Sequence, residues 1–231
     1  MKLKKILFSF LFFSIILMPS AKAPGKDSNP PGKTSNLTLD QILKKIEKKY
    51  ALSGFSARFF QSSTIKVMDI TDTASGRLLI KHPGMMRWEY EVPDRQIIIS
   101  DGFQLWIYRP DDNQVMIGKA PAFFGDGKGA SFLSDITRMR ENFTISKETS
   151  GRAEHHILKL VPRNKSFDLS VIYLTISSDT SDVVQIVTYN SYDDETRIKL
   201  SDIRFNPDLD NSLFKFTTPE GAEILQLGEQ P

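Results

Sequence analysis

Between Phe55 and Phe205 apolar side chains recur at every second position through one short segment after another. No stretch of helical period between them is long enough to carry the chain across a sheet. Parallel neighbours need such crossovers, so the segments should pair as antiparallel, meandering strands. Strands are expected at 55–68, 76–82, 85–92, 96–100, 103–109, 113–118, 142–149, 154–161, 170–177, 183–190 and 196–205. About ten or eleven strands are enough to force strong curling or closure of a sheet. Turn residues punctuate them at Asp101-Gly102, Pro110-Asp111-Asp112, Ser150-Gly151 and Asp193-Asp194. In "MMRWEYEV", Met86, Trp88, Tyr90 and Val92 alternate with Arg87, Glu89 and Glu91, the pattern of a strand with one wet face.

The stretch "SDGFQLWIYRPDDNQV", Ser100 to Val115, is different because it is apolar on both sides. If Asp101-Gly102 closes a two-residue hairpin, Ser100 faces Phe103 and Ile98 faces Leu105 across the ladder. Ile98, Phe103, Leu105 and Ile107 then share one face, and Ile97, Ile99, Trp106 and Tyr108 the other. Such a sheet needs cover on both sides, yet two short helices are all that the helical period supplies. Leu39, Ile42, Leu43, Ile46 and Tyr50 mark the first, opened by a capping box at Thr38 and Gln41 and ending near Gly54. Phe132, Leu133, Ile136 and Met139 mark the second, after the hinge-like "FFGDGKG". Either the sheet packs a dense core, or it encloses apolar space that something else fills.

The chain opens "MKLKKILFSFLFFSIILMPSAKA", with a basic start, an apolar run too short to span a bilayer and a small-residue end. Residues 1–23 are therefore expected to be a signal peptide, cut after Ala21 or Ala23; an uncleaved anchor is the alternative. Residues 24–36, rich in Pro, Gly, Ser and Asn, have almost nothing to bury and read as a flexible leader, so 37–231 is expected to be one domain. Without the four lysines of the first segment the 30 Lys and Arg fall to 26 against 28 Asp and Glu. No basic block remains, which argues against nucleic acid. The absence of cysteine excludes disulfides and a lipidated N-terminal Cys.

Catalytic patterns are missing. His155 and His156 are adjacent on an expected strand, so they point to opposite faces and cannot share a metal. "GDGKGAS" lacks phosphate-loop spacing, no Gly-x-Ser-x-Gly elbow occurs, and "DDE" at 193–195 reads as a turn. The chain is expected not to be an enzyme and to need no cofactor or metal.

Three stretches, in order, carry a resemblance: "FSARFFQ" (55–61), "GRLLIKHPGMMRWEYEVPDRQIIISDGFQLWIYRPDDNQV" (76–115) and "FKFTTPEGAEI" (214–224). Together they resemble the LolA family of periplasmic outer-membrane lipoprotein carriers over about 37–225. The resemblance implies an incomplete, strongly curved antiparallel half-barrel, mainly β with short helices covering a concave apolar cavity for acyl chains. It implies a monomer that takes triacylated lipoproteins from an inner-membrane ABC transporter to an outer-membrane receptor, as a periplasmic chaperone. On this basis Met86 and Trp88 line the interior or its mouth, and 125–139 corresponds to a lid. Facing and period add Leu43, Ile46, Ile98, Leu105, Ile107, Phe132, Leu133 and Ile136 to the acyl-chain-binding set. His82 stands where the family usually has an Arg that latches the lid, and Met86 where Phe is common. Imidazole offers at most two donors against five from guanidinium, so the latch should be weak, pH-dependent or absent. A LolA-like carrier or sensor of another lipid, a glycolipid or phospholipid, is the alternative.

Overall fold

The computed structural model describes residues 37–51, 54–120, 136, 139–149, 153–164, 168–206 and 208–227. The first helix, α1 (Leu39–Ala51), begins where the capping box places it. Thr38 N donates to Gln41 Oε1 at 2.9 Å, and Gln41 N donates to Thr38 Oγ1 at 3.3 Å. Its buried stripe is Ile42, Leu43, Ile46 and Tyr50. Burying each of these side chains contributes about 1.5–3 kcal/mol, so packing rather than propensity holds the helix.

Twelve strands follow among the described residues. They are β1 (Gly54–Ile65), β2 (Ile70–Lys81), β3 (Met85–Val92), β4 (Gln96–Asp101), β5 (Gln104–Arg109) and β6 (Gln114–Lys119). After a short helix, α2 (Met139–Asn142), come β7 (Phe143–Glu148), β8 (His155–Pro162), β9 (Val171–Ser177), β10 (Val183–Tyr189), β11 (Glu195–Asn206) and β12 (Glu223–Gln226). One open, curved sheet contains them in the order β12-β6-β5-β4-β3-β2-β1-β11-β10-β9-β8-β7. Two meanders, β1 to β6 and β7 to β11, are thus joined by the long antiparallel pair β1–β11. The expected antiparallel half-barrel is present. The twelfth strand is the departure: β12 is a four-residue edge strand that pairs parallel to β6. It carries too few residues to show a period.

Two expectations need correction. Alternation predicts β2 at 76–82, whereas it begins at Ile70, after a 3-10 turn at Lys66–Met68 that closes a hairpin with β1. Residues 70–74, "ITDTA", lack an apolar face because they project beyond β3, whose pairing with β2 starts at Ser75–Val92. The second correction is the hairpin register. Ser100 faces Leu105 and Ile98 faces Ile107, two residues from the expected partners. Gly102, with φ +97°, takes the first central turn position, where glycine is favoured, and the Asp101 carboxylate accepts from Phe103 N and Gln104 N at 2.9 and 2.8 Å. A slip of two preserves faces, whereas a slip of one would invert them. Ile98, Leu105 and Ile107 therefore stay on the inner face, but Phe103 leaves it and is 82% exposed at the turn.

Both sides of the doubly apolar strands are covered. On the inner side α1 shares the main core with Phe55, Ala57, Leu78, Ile80, Met86 and Trp88, which Ile98 of β4 joins, while Leu105 and Ile107 of β5 are buried in a second cluster with Met116 and Ala120. The outer cover comes from the chain's own C-terminal segment. A 3-10 helix, Asn211–Phe214, lies against β3 and β4, with Phe214 fully buried and Leu213 O accepting from Arg87 Nη1 at 3.2 Å. Phe216 then packs on Trp106 and Tyr108, with ring centroids 6.2 and 5.6 Å away. Lys81 Nζ ties the same segment down through Leu209 O and Asn211 Oδ1, both at 2.6 Å.

Candidate functional site: an apolar row beneath a pinned helix

Successive ladder partners build one apolar row across the inner face. Ala57, Leu78, Trp88, Ile98, Ile107, Met116 and Leu225 stand opposite one another from β1 to β12. With strands about 4.8 Å apart, seven strands give a row of roughly 29 Å. Beside it runs a second row: Phe55, Ile80, Met86, Ser100, Leu105 and Gly118.

The expected site residues fall into two groups. Leu43, Ile46, Met86, Trp88 and Ile136 belong to the main core. Leu105 and Ile107 form a second cluster with Met116 and Ala120, against which Leu225 and Leu227 pack. Ile98, half-buried, packs against both and joins them. Phe132 and Leu133 lie outside the described residues, as does most of the expected lid 125–139 and of the helix assigned to it. Met116, Leu225 and Leu227 escape a reading of the sequence. In "QVMIGK" three consecutive apolar residues give no facing, and β12 joins the row only through its pairing with β6.

Ser100 is the polar member of the inner rows, and it is fully buried. Its hydroxyl donates to Gly84 O at 3.2 Å and accepts from Gly102 N at 3.0 Å, locking the β2–β3 turn to the β4–β5 turn. Gly84 and Gly102 permit this approach, since a Cβ on Gly84 would lie 3.1 Å from the Gly102 Cα. Ser100→Ala should leave both backbone groups unpaired and cost about 1–3 kcal/mol, read as a lower urea midpoint at unchanged slope. His82 occupies the same β2–β3 turn and is half-buried.

The polar anchors of α1 lead to one half of the sheet. Val183 N donates to Tyr50 Oη at 2.9 Å in a buried bond, and burial raises the Tyr50 phenol's pKa, so it stays neutral. Lys49 pairs with Asp182, donates to Thr180 O at 2.7 Å and lies 4.6 Å from the centroid of the Phe205 ring. Arg140 of α2 bridges to Glu47 at 2.5 Å and Asp40 at 3.1 Å. With Met86 and Trp88 of β3, by contrast, the apolar stripe of α1 shares the main core. Behind them Phe59 sits 4.9 Å from both Trp88 and Tyr90 rings. Burial pushes the Tyr90 phenol up to about 12, and its hydroxyl donates to Gln61 at 3.1 Å.

His155 and His156 do face opposite ways: His155 is half-buried, while His156 is buried on the face shared with Leu158 and Leu160. No cluster of three or more His, Asp or Glu able to hold a metal occurs among the described residues. Among the described residues His156 Nε2 is buried without a hydrogen-bond partner. Burial first, then the Lys147 and Lys45 charges, lower its pKa. The unfolded chain therefore takes up the proton more readily than the folded one. Stability is full above the ordinary histidine value of about 6.5 and declines as pH falls through it. Urea midpoints at pH 7.5 and 5.5 should differ less in His156→Leu than in the parent.

A curved, open β-sheet with a continuous apolar inner row, sharing its core at the β1–β3 end with an amphipathic helix, defines a half-barrel built around an apolar interior. Residues 51–217 match the family described as "Outer membrane lipoprotein carrier protein LolA", and the chain belongs to that family. It is 31% identical over 172 residues to the outer-membrane lipoprotein carrier protein of Nitrosomonas europaea, covering 74% of this chain and 82% of that one. Against the protein of the same name from Neisseria meningitidis serogroup B the identity is 30% over 172 residues, covering 74% and 80%. A crystal structure of an uncharacterized conserved protein from Thermus thermophilus shares the fold, with TM-score 0.53 at 15% identity, over 81% of this chain and 98% of that one.

Proposed function

We propose that this protein is a periplasmic carrier that holds the acyl chains of lipoproteins against its inner apolar rows and conveys them from the inner to the outer membrane. The continuous row from Ala57 to Leu225, in a member of this family, carries the reading. A bilayer's hydrocarbon core is about 30 Å thick, so one acyl chain spans about half of that. A row of roughly 29 Å is long enough to receive such a chain laid across the strands. Each buried methylene is worth about 0.8 kcal/mol, so a chain of about sixteen carbons represents about 12 kcal/mol that an aqueous crossing must not forfeit. A carrier needs an interior of similar quality that still lets go.

The way α1 is anchored suggests how. Its ion pairs and the Tyr50 bond hold it to the β9–β10 turn, β10 and α2, while it shares only an apolar core with Met86 and Trp88. Separation between α1 and β3 breaks contacts that acyl methylenes replace in kind. The contact set is Leu43, Ile46, Met86, Trp88, Ile98, Leu105, Ile107 and Ile136, with Phe132 and Leu133 contributed from the segment 125–139. His82, with fewer donors than arginine, is a weak latch for that segment. Residues 1–23 direct export and 24–36 form a leader ahead of the single carrier domain. An ATP-driven inner-membrane transporter loads the carrier, a receptor at the outer membrane accepts the cargo, and no side chain does covalent chemistry.

Native mass spectrometry of the protein purified from periplasm without detergent tests this. A mass increment equal to a triacylated lipoprotein is the expected result. A phospholipid or glycolipid in its place would keep the binding site and overturn the cargo; only the bare chain mass under loading conditions would overturn both.

A further inference from the structure

At the end of the sheet far from the Gly84–Gly102 contact, the β1–β2 hairpin projects. Its ladder continues to Ile65–Ile70, whereas β3 pairs with β2 only from Ser75. Five residues of β2 thus extend past β3, about 17 Å at 3.4 Å per residue. β11 supports the hairpin on its other side as far as Thr64–Glu195. The two neighbouring turns are stitched together: Lys66 N donates to Asp194 Oδ1 at 2.9 Å, and Asn190 Nδ2 donates to Asp194 Oδ2 at 2.9 Å. Asn190 Oδ1 in turn accepts from Tyr192 N and Asp194 N at 2.8 and 2.9 Å.

This braced tip displays Val67, Met68 and Tyr192 at 87%, 60% and 72% exposure. Isolated exposed apolar residues are ordinary, but three large ones on two turns bonded to each other are not. The same two hairpins carry Asp69, Asp72, Asp193 and Asp194 within five residues of these side chains, with Lys66 among them. We propose that this tip is a docking site for a protein partner carrying an apolar pocket bordered by Lys and Arg. The apolar residues supply the anchor, and the bonds above fix its shape before binding, so little ordering cost remains. The acidic collar supplies charge complementarity and disfavours the other apolar occupant, a membrane with anionic headgroups, which four carboxylates repel. The inference does not depend on what fills the interior.

The test places a photoreactive benzoylphenylalanine at Val67 in the full chain in cells, with the same group at Phe103, exposed at the opposite turn, as control. One protein adduct specific to Val67 is expected, with the cross-linked peptide flanked by Lys or Arg. Its yield should fall about tenfold in Met68→Ser/Tyr192→Ser and in Asp69→Asn/Asp193→Asn, the latter removing charge with a side chain that tolerates the positive φ of both positions. Both double variants should keep the parent's urea midpoint, which separates lost docking from lost folding. An adduct no stronger than at Phe103, or one insensitive to both double variants, would overturn the proposal. So would an adduct with a second copy of this chain alone, or Met68-dependent binding to phosphatidylcholine vesicles with or without phosphatidylglycerol.

Discussion

Gly76→Ala should lower the stability by about 3 kcal/mol or more and leave little soluble protein, against a total of about 5–15 kcal/mol for a domain. Gly76 is buried in β2 on the inner face, opposite Phe59 on one side and Tyr90 on the other, where the β2–β3 register shifts. A Cβ there would lie 1.9 Å from the Glu89 carbonyl oxygen and 3.0 Å from the Phe59 ring. The first contact is with backbone, so no rotamer change relieves it; β3 itself must move, and with it Trp88. Urea unfolding followed by Trp fluorescence reads the effect. Gly221→Ala is the matched control, since its added Cβ meets only Asn113 Nδ2 at 3.9 Å and the cost is that of a positive φ, about 1 kcal/mol. Equal midpoints for the two variants would show that β3 yields easily at this point.

Leu105→Glu should reduce lipoprotein release from spheroplast inner membranes to background. Leu105 is fully buried, between Ser100 and Gly118 on its row and within the cluster of Ile107, Met116 and Ala120. None of these offers a cation or a free donor to a carboxylate, so burial without a partner costs several kcal/mol or forces the group to protonate. Leu105→Met preserves volume and apolarity, costs less than about 1.5 kcal/mol and should retain release. Because Leu105→Glu strains folding as well as binding, Ile98→Glu is the companion. Ile98 is half-buried where the two clusters meet, so a charge there is cheaper to the fold and still interrupts the apolar row. Release at the parent rate by folded Ile98→Glu would sink the assignment of this row to acyl chains.

The two variants probe features of different legibility. In the sequence Gly76 is only the start of a strand, because its meaning depends on which backbone lies across from it. Leu105 falls on the inner face in both the sequence and the structure although its partner differs, since a two-residue slip preserves parity. Phe103 shows the limit of that protection: it shares the parity but lies in the turn itself, where no neighbour strand covers it. Ser100 shares the inner parity too, and its value comes from Gly84 and Gly102, one of them brought to it from a separate turn.

Local chemistry is sufficient for α1, because a capping box and a 3.6-residue apolar stripe are properties of neighbours along the chain. It is also sufficient for the identity and facing of most strands, since alternation has a period of two wherever one side is buried. The family resemblance rests on motifs in that same local order. Tertiary structure alone decided the rest. The joining of two meanders through β1–β11, the parallel addition of β12 to complete the row, the Tyr50–Val183 bond and the outer cover by Phe214 and Phe216 all link residues far apart in the chain. The projecting part of β2 is hidden for a related reason: with both faces wet, it has no alternation to read. Periodicity records whether a side chain is buried, but the partner that buries it is chosen only when the chain has folded.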